Sequence, residues 1–244
     1  MSGGRSESSG IGAARRERLH RQVLEEIKDA ARAELRAHGP SGVTMRAVAR
    51  AVDITPSGLY RYVADHNALL GLLAADAYAE ALAEIRAAGA QAPDEEFATT
   101  WYLSTLALRR WSLTHEAEHA LLVSPTVMNP RPREVVEAVR ESLAMWAEIC
   151  EKAIQAGQLD PQQAGLPVVH TKVTSGAASA EAVSLARSAI AAITGHIALE
   201  VRLGWEGWEG SVEDPAEYFS DYSLAIMTAM GFVVRPTMVA KATG

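Results

Sequence analysis

The stretch from Thr44 to Tyr62 constrains the fold of this chain most, because it predicts two short helices joined by a tight turn. Apolar residues recur with a helical period on the first segment, and Thr44 precedes it as a good N-cap. Thr55 and Pro56 signal the start of a second helix, since a proline at the first helical position loses no hydrogen bond. Asp53, between the two segments, tolerates the left-handed backbone that a short turn requires. The pattern predicts a helix-turn-helix.

The second of these helices has small residues at its start and polar groups further along. Leu59 and Val63 are spaced to face inward, which leaves the opposite side exposed. Small residues let a backbone approach DNA closely, and hydroxyl and guanidinium groups reach phosphates or base edges. The exposed side therefore predicts DNA contacts, and its residues are Ser57, Gly58, Tyr60 and Arg61, flanked by Tyr62.

The order V-A-x-x-V-x-I-T-x-S-x-L-Y-x-Y-V over residues 48–63, followed by Asp65 and the triplet 68–70, resembles the recognition segment of the TetR family of transcriptional regulators. The likeness extends upstream to a helix expected from about Arg15 to Ala37, and covers roughly residues 15–75. This chain has Asp53 where the family usually has Gly, Val63 where many members have Phe, and His66 where a Lys usually meets a phosphate. The resemblance adds Thr44, Arg46, Thr55, Pro56 and His66 to the expected DNA contacts.

The resemblance implies an all-α fold with a three-helix DNA-binding head and a larger antiparallel helical ligand-binding and dimerisation domain. The boundaries that we expect are a disordered N-terminal arm over 1–14, the helix-turn-helix domain over 15–64, the helical domain over 65–234 and a flexible C-terminal tail over 235–244. The implied partners are double-stranded operator DNA with a pseudo-palindromic site, a small-molecule effector that releases a repressor, and a second copy of the chain.

Charge is distributed unevenly along the chain, whose formal net charge is −7. Residues 1–65 carry 11 Lys and Arg against 8 Asp and Glu, a local charge of +3, whereas residues 66–244 carry 12 against 22, a local charge of −10. Phosphates respond to the local field, so the overall charge does not oppose DNA binding by the head. Arg5, Arg15, Arg16 and Arg18 form either an arm that reaches the minor groove or phosphates, or a solvated tail.

Cys150 is the single cysteine, so no intramolecular disulfide can form, which is typical of a reducing cytoplasm. The N-terminal ten residues lack the apolar run of a secretory signal. The most apolar stretch, 182–201, contains Arg187, His196 and Glu200, which argues against a membrane span. The sequence predicts a cytoplasmic protein with no membrane partner, and its 19 Arg against 4 Lys favour a bacterial source.

Helical periodicity continues after the head, with expected helices over about 66–88, 97–113, 116–123, 133–155, 180–203 and 215–230. Pro and Gly residues interrupt 158–178, which favours an extended connection there. The segment 191–204 resembles the penultimate helix of a TetR subfamily that carries a His-Gly pair, reversed here as Gly195-His196. The resemblance implies a four-helix homodimer interface built from the last two long helices. Small residues there would permit close helix approach, as they would in an ordinary core; they are Ala189, Ala191, Ala192 and Gly195.

A small-molecule pocket between helices is implied for the body by the resemblance, and helical bundles bind ligands where apolar walls meet a few polar groups. His196 and Glu200, spaced i and i+4 on an apolar helix, face the pocket, the core or the dimer interface. The full set of candidate ligand residues is Trp101, Tyr102, Thr105, Leu108, Trp111, His119, Met128, Trp146, His170, Thr174, His196 and Glu200.

One motif belongs to a different class of protein. His115-Glu116-x-x-His119 matches H-E-x-x-H, the pattern of zinc-dependent hydrolases, in which both histidines bind zinc from one helix and the Glu is the base. A third ligand at the usual spacing is missing, and the resemblance implies that His115 ends one helix while His119 lies in the next. We therefore expect no enzyme, no catalytic residue, no cofactor and no metal site, and keep the hydrolase as the alternative.

Overall fold

The computed structural model describes residues 4–124, 132–167, 178–204 and 212–234, with side chains from residue 14 onward. The predicted all-α fold is confirmed over these ranges. The helices are α1 (Gly4–His38), α2 (Met45–Ala51), α3 (Pro56–Leu59), α4 (His66–Gly89), α5 (Phe97–Thr114), α6 (Glu116–Leu122), α7 (Arg133–Gln155), α8 (Ala180–Leu203) and α9 (Pro215–Met230), with short 3-10 turns at Pro40–Gly42 and Pro161–Gln163.

The chain divides into two compact units. The first comprises residues 1–77 and 117–135, and the second comprises residues 78–116 and 136–244. The division falls inside α4 and groups α6 with the helix-turn-helix, whereas the sequence analysis placed a boundary between residues 64 and 65. Helix α4 is therefore continuous from one unit into the other.

Helix α1 organises the core of the first unit. Its residues Ile27, Ala31 and Leu35 recur every four positions and are fully buried. They share this core with Val48 of α2 and Leu59 of α3, which are also fully buried. Complete burial of a Leu, Ile or Val side chain contributes about 1.5–3 kcal/mol, so this core holds α2 against α1 and α3 against α2.

Helix α1 begins at Gly4, earlier than the start expected near Arg15. The structure thus differs from the sequence analysis by placing residues 4–14 in a helix. Residues 14–19, Ala-Arg-Arg-Glu-Arg-Leu, are all strong helix formers, whereas residues 4–12 include three Gly and three Ser, which are weak ones. Once the packed part of α1 has nucleated the helix, residues 14–19 extend it without further nucleation, and local propensity does not account for the turns before them.

The second unit is built around α5, α8 and α9, which pack against one another. Trp101 and Trp111 of α5, Ile193 of α8 and Phe219 of α9 are buried in its core. Trp146 of α7 joins them edge-on to Trp101, with ring centroids 4.8 Å apart. Helix α8 is long and apolar enough to cross a membrane by length and composition alone, with a mean hydropathy of 1.4 over its most apolar window.

Gly231 ends α9 and is hydrogen-bonded to the loop after α7. Gly231 has φ 94°, and the N–H of Phe232 donates to the Met227 carbonyl, 3.0 Å, which closes the helix. The Gly231 carbonyl accepts from the N–H of Asp160 at 2.9 Å. Residues 158–167 thus run beside the end of α9, while residues 168–177 of the expected extended connection lie outside the described residues.

Candidate DNA-binding surface and ligand site

The turn between α2 and α3 has the geometry of a Schellman motif. The N–H of Ile54 donates to the Ala49 carbonyl at 3.0 Å, and the N–H of Asp53 donates to the Arg50 carbonyl at 3.3 Å. Asp53 has φ 54°, so the prediction of a left-handed residue at this position is confirmed. Two paired N–H groups make the turn a rigid corner, which fixes the angle between the two helices.

Helix α3 is a single short turn held by its own N-cap. The Thr55 hydroxyl accepts from the Gly58 N–H at 3.1 Å and lies 3.0 Å from the Ser57 hydroxyl. A methyl group at Gly58 would lie 3.2 Å from the Thr55 hydroxyl oxygen, so Gly at this position leaves room for the cap. Thr44 caps α2 in the same way by accepting from the Ala47 N–H at 3.2 Å.

Most of the predicted DNA-contacting residues share one property, which is exposure. The side chain of Tyr60 is 53% exposed, and Arg61 beside it is also exposed. The other exposed members of the set are Thr44, Arg46, Thr55, Pro56 and Ser57, with Gly58 half-buried. Hydroxyl, phenol and guanidinium groups on one exposed turn provide donors for phosphates and base edges.

Two members of the set make contacts inside the head. The ring of Tyr62 stacks on His20 of α1, with ring centroids 4.9 Å apart and an interplanar angle of 23°. The Nε2–H of His66 donates to the Val43 carbonyl at 2.6 Å, because a carbonyl oxygen can only accept. The structure thus uses Tyr62 to join α1 to the end of α3, and His66 to hold the start of α4 against the loop before α2.

Three basic side chains of the first unit are paired with carboxylates. Asp76 of α4 accepts from Lys28, 2.7 Å, and from Arg32, both on α1. Arg36, one turn further along α1, lies 2.7 Å from Glu118 of α6, whose side chain is only 7% exposed. These pairs neutralise part of the positive charge of the head and join α1 to α4 and α6.

In the second unit, most of the candidate ligand residues on α5 are packed in the core. Tyr102 is buried, and its hydroxyl lies 2.7 Å from that of Ser220 on α9. The Thr105 hydroxyl donates to the Trp101 carbonyl at 2.8 Å. Trp111 is buried against His115, with stacked rings 5.1 Å apart, and Leu108 is half-buried. These side chains already pack against neighbouring residues of the unit, so a ligand that uses them must displace existing contacts.

Glu200 has a partner that the sequence analysis missed. Arg109 of α5 donates from Nε to one oxygen of Glu200 at 2.8 Å and from the guanidinium terminus to the other at 2.5 Å. The same guanidinium lies over the ring of Phe219, 5.3 Å from its centroid. A buried carboxylate requires a cation, and Arg109 and Arg110 are the charged residues of α5. The need of a buried Glu200 for a cation was the signal by which the sequence could have indicated this pair.

His196, on the same helix as Glu200, lies among aromatic rings of α9. It stacks on Tyr222 at 4.5 Å and on Tyr218 at 5.6 Å. Burial lowers the pKa of His196, with the Arg109 charge acting in the same direction and Glu200 opposing it. His196 is therefore a neutral ring in an aromatic stack near neutral pH.

Two family profiles match the chain. The profile described as bacterial regulatory proteins of the tetR family matches residues 27–71, and that described as the tetracyclin repressor-like C-terminal domain matches residues 101–221. The chain belongs to the TetR family. It is a TetR-type transcriptional regulator, whose helix-turn-helix is the segment α2 to α3.

Individual relatives agree with this assignment. The chain is 33% identical over 110 residues to HTH-type transcriptional regulators of Mycobacterium tuberculosis, Rv1816, and of Mycobacterium bovis, Mb1846; the match spans 43% of this chain and 45% of the relative. The chain thus matches less than half the length of these relatives. The crystal structure of a regulatory protein, SCO4313, is 25% identical with a TM-score of 0.65, covering 87% of this chain and 98% of that one. A TetR-family regulator from Rhodococcus RHA1, 20% identical with a TM-score of 0.56, shares the fold over 86% of this chain and 98% of its own.

The hydrolase alternative is not supported in this TetR-family chain. His115 is the C-cap of α5, whereas Glu116 and His119 belong to α6, so the expected break between the two histidines is confirmed. The Nδ1–H of His115 donates to the Trp111 carbonyl at 3.0 Å. Over the described ranges, the structure shows no group of three His, Cys, Asp or Glu residues suited to holding a metal ion.

The remaining candidate ligand residues belong to the other compact unit or lie outside the described residues. His119 is buried, burial lowers its pKa, and it belongs to the compact unit of the helix-turn-helix. Met128, His170 and Thr174 lie outside the described residues. A surface pocket of about 590 Å³ is lined by residues 94–97, Lys152, Gln155, Ala156 and Gln158, and includes none of the candidates.

Proposed function

We propose that this TetR-family regulator is a cytoplasmic repressor that binds a pseudo-palindromic operator as a homodimer and is released by a small-molecule ligand. The observation that carries the proposal is the exposed turn of α3, where Ser57, Tyr60 and Arg61 project from a rigid corner. Such a turn fits the major groove, whose base edges side chains of this kind can read.

An exposed apolar stripe on α8 supports the homodimer. Ala191, Gly195, Leu199 and Leu203 recur every four residues and are all exposed, Leu199 at 44% and Leu203 at 58%. A methyl group at Gly195 would meet no heavy atom within 4 Å, so the stripe offers a smooth, open surface. Tyr218 on the adjacent α9 is 41% exposed. Large exposed apolar side chains on neighbouring helices are typical of an interface.

Dimerisation would set the distance between the two recognition helices on the operator. Two recognition helices that read successive major grooves must lie about 34–36 Å apart. A ligand that binds more tightly to a dimer with another separation would release one head from DNA. The free energy available for this change is the difference between its binding free energies for the two dimer conformations. Helix α4, continuous across both units, is the proposed connection through which binding in the second unit alters that separation.

The ligand site is proposed in the second unit, near the candidate residues of α5, α7 and α8. The Arg109–Glu200 pair leaves this region with balanced charge, which favours an uncharged or weakly polar ligand over a strongly charged one. Because Trp101, Trp111 and Trp146 are closely packed, binding would involve rearrangement of their rings.

Mobility-shift binding to DNA upstream of the protein's own gene, at two salt concentrations, tests DNA binding, and light scattering tests the dimer. We expect saturable binding that outcompetes nonspecific DNA and weakens with salt. Leu203→Glu should reduce the mass in solution to that of one chain and weaken operator binding. Ala87→Glu, which adds the same charge at an exposed position of α4 in the same unit and outside the proposed interface, is the matched control. A monomeric wild-type protein, or binding without sequence preference, would overturn the proposal.

A further inference from the structure

The N-terminal part of α1 extends beyond the packed head. Every described side chain from Ala14 to Gln22 is exposed, and burial begins at Val23. Leu19 is 59% exposed, so this segment makes little use of its apolar atoms within the chain. We call residues 14–21 the α1 arm.

The α1 arm is strongly basic. It contains four arginines and one carboxylate, that of Glu17, which lies 3.9 Å from Arg21. The other three arginines, Arg15, Arg16 and Arg18, are exposed. The concentration of positive charge on one exposed helical segment favours a polyanionic partner.

The position of the arm identifies that partner. His20, within the arm, stacks on Tyr62, which follows Tyr60 and Arg61 at the end of α3. The arm is thus continuous with the surface through which α3 is proposed to contact the operator. A polyanion bound at α3 is already adjacent to the arm, and that polyanion is duplex DNA.

We propose that the α1 arm is an accessory DNA-binding element whose Arg15, Arg16 and Arg18 contact phosphates flanking the half-site that α3 reads. The proposal rests on DNA binding by α3, and it adds a second, sequence-independent contact. On the helical period, Arg16 lies one turn before His20 on the head-facing side of α1, whereas Arg15 and Arg18 lie on the opposite side. Arg16 is therefore the principal contact and the other two are secondary.

The length of the extension sets the expected reach on DNA. The eight residues from Arg15 to Gln22 span about 12 Å at 1.5 Å per residue. That length corresponds to about three to four base pairs at 3.4 Å per pair. Operators that end close to the half-sites would therefore lose the arm contacts, whereas operators with about ten flanking base pairs would retain them.

The test compares R15Q/R16Q/R18Q with wild-type full-length protein. Glutamine preserves helix propensity and length while removing charge. The matched control, R110Q/R140Q/K152Q, removes three exposed charges from the second unit and has the same net charge as the arm variant. Circular dichroism and thermal unfolding verify that both variants fold as the wild type does.

We expect the arm variant to bind a long-flank operator at least about tenfold more weakly than the wild type at low salt. Its salt slope should fall by about 2–3 per bound protomer, since each lost phosphate contact removes about 0.9. Shortening the flanks should weaken the wild type and the charge control but leave the arm variant unchanged. Among single variants, R16Q should have the largest effect.

Equal salt slopes for the arm variant and the charge control on long-flank DNA would overturn the accessory contact. Salt slopes measured in the same way on a nonspecific 40-base-pair duplex distinguish failure of the arm contact from failure of the proposed operator binding. If the wild type has no operator preference but loses nonspecific affinity in the arm variant, the arm contact stands and the operator proposal fails. If operator binding is specific and independent of both flanks and arm charges, the operator proposal stands and the arm contact fails.

Discussion

The Arg109–Glu200 pair offers a quantitative test of how the second unit is held together. Arg109→Met removes the guanidinium and keeps a long side chain, so Glu200, whose side chain is 5% exposed, remains in a buried site without its guanidinium partner. Breaking a buried ion pair by removing one partner costs about 3–5 kcal/mol, because the remaining charge has lost both water and counter-ion. We expect R109M to lower the free energy of unfolding by that amount.

The same unit contains a matched control. Arg86 lies 2.9 Å from Glu141, but the side chains of this pair are 50% and 59% exposed. Exposed ion pairs contribute about 0–1 kcal/mol, since water solvates either partner when the other is removed. R86M also replaces one arginine of an Arg–Glu pair with Met, and should therefore change the free energy of unfolding by less than about 1 kcal/mol.

Urea denaturation at constant pH measures both variants. For a chain of this size, each kcal/mol shifts the melting temperature by about 2–4 °C, so R109M should melt roughly 10 °C below the wild type. The double variant R109M/E200M should recover most of the loss, because two apolar side chains replace a buried pair at little cost. R109M and R86M with the same urea midpoint would refute the reasoning.

Three further perturbations test other parts of the molecule. Arg61→Ala should weaken operator binding and lower the salt slope by about 1, and an unchanged slope would remove this residue from the contact surface. The pKa of His196 is lowered in the folded state, so its contribution to stability is present above the ordinary histidine pKa and is lost as the pH falls below that pKa. H196F keeps an aromatic ring but removes the titrating group. It should therefore flatten this part of a pH–stability curve. G231A should cost at least about 3 kcal/mol in urea denaturation, since its methyl group would lie 2.2 Å from the Asp160 carbonyl oxygen, whereas G157A, with positive φ but open space, should cost about 1 kcal/mol.

The ends of the helices in the second unit could be predicted from the sequence because local signals determine them. The predicted ranges of α7, α8 and α9 coincide with the observed ones. Ser179 accepts from the Ala182 N–H at the start of α8, and Asp214 does the same before Pro215 at the start of α9. Caps of this kind involve residues two or three positions apart, so no knowledge of tertiary structure is needed to recognise them.

Side-chain partners could not be predicted in the same way. The spacing of His196 and Glu200 suggested a local pair, yet the carboxylate of Glu200 is bidentate with Arg109, 91 residues earlier in the chain. His66, expected at a phosphate, donates to the Val43 carbonyl, 23 residues away, a contact that the sequence did not indicate. Such contacts depend on which helix faces bury together, which periodicity does not specify.

The distribution of charge over the folded head could not be predicted from the sequence either. Which arginines are available to DNA depends on which of them pair with carboxylates in the folded chain. Residues 1–65 have a local charge of +3, but that sum does not distinguish paired from unpaired cations. Lys28 and Arg32 share Asp76, and Arg36 pairs with Glu118, so these cations stabilise the packing of α1. The positive field is thereby concentrated on the exposed arginines of the α1 arm, of which Arg21 has Glu17 at 3.9 Å, and on Arg61 after α3. A chain with a net charge of −7 can then bind a polyanion, because Asp76 and Glu118 pair with cations that hold α1 in place rather than with the arginines proposed to face DNA.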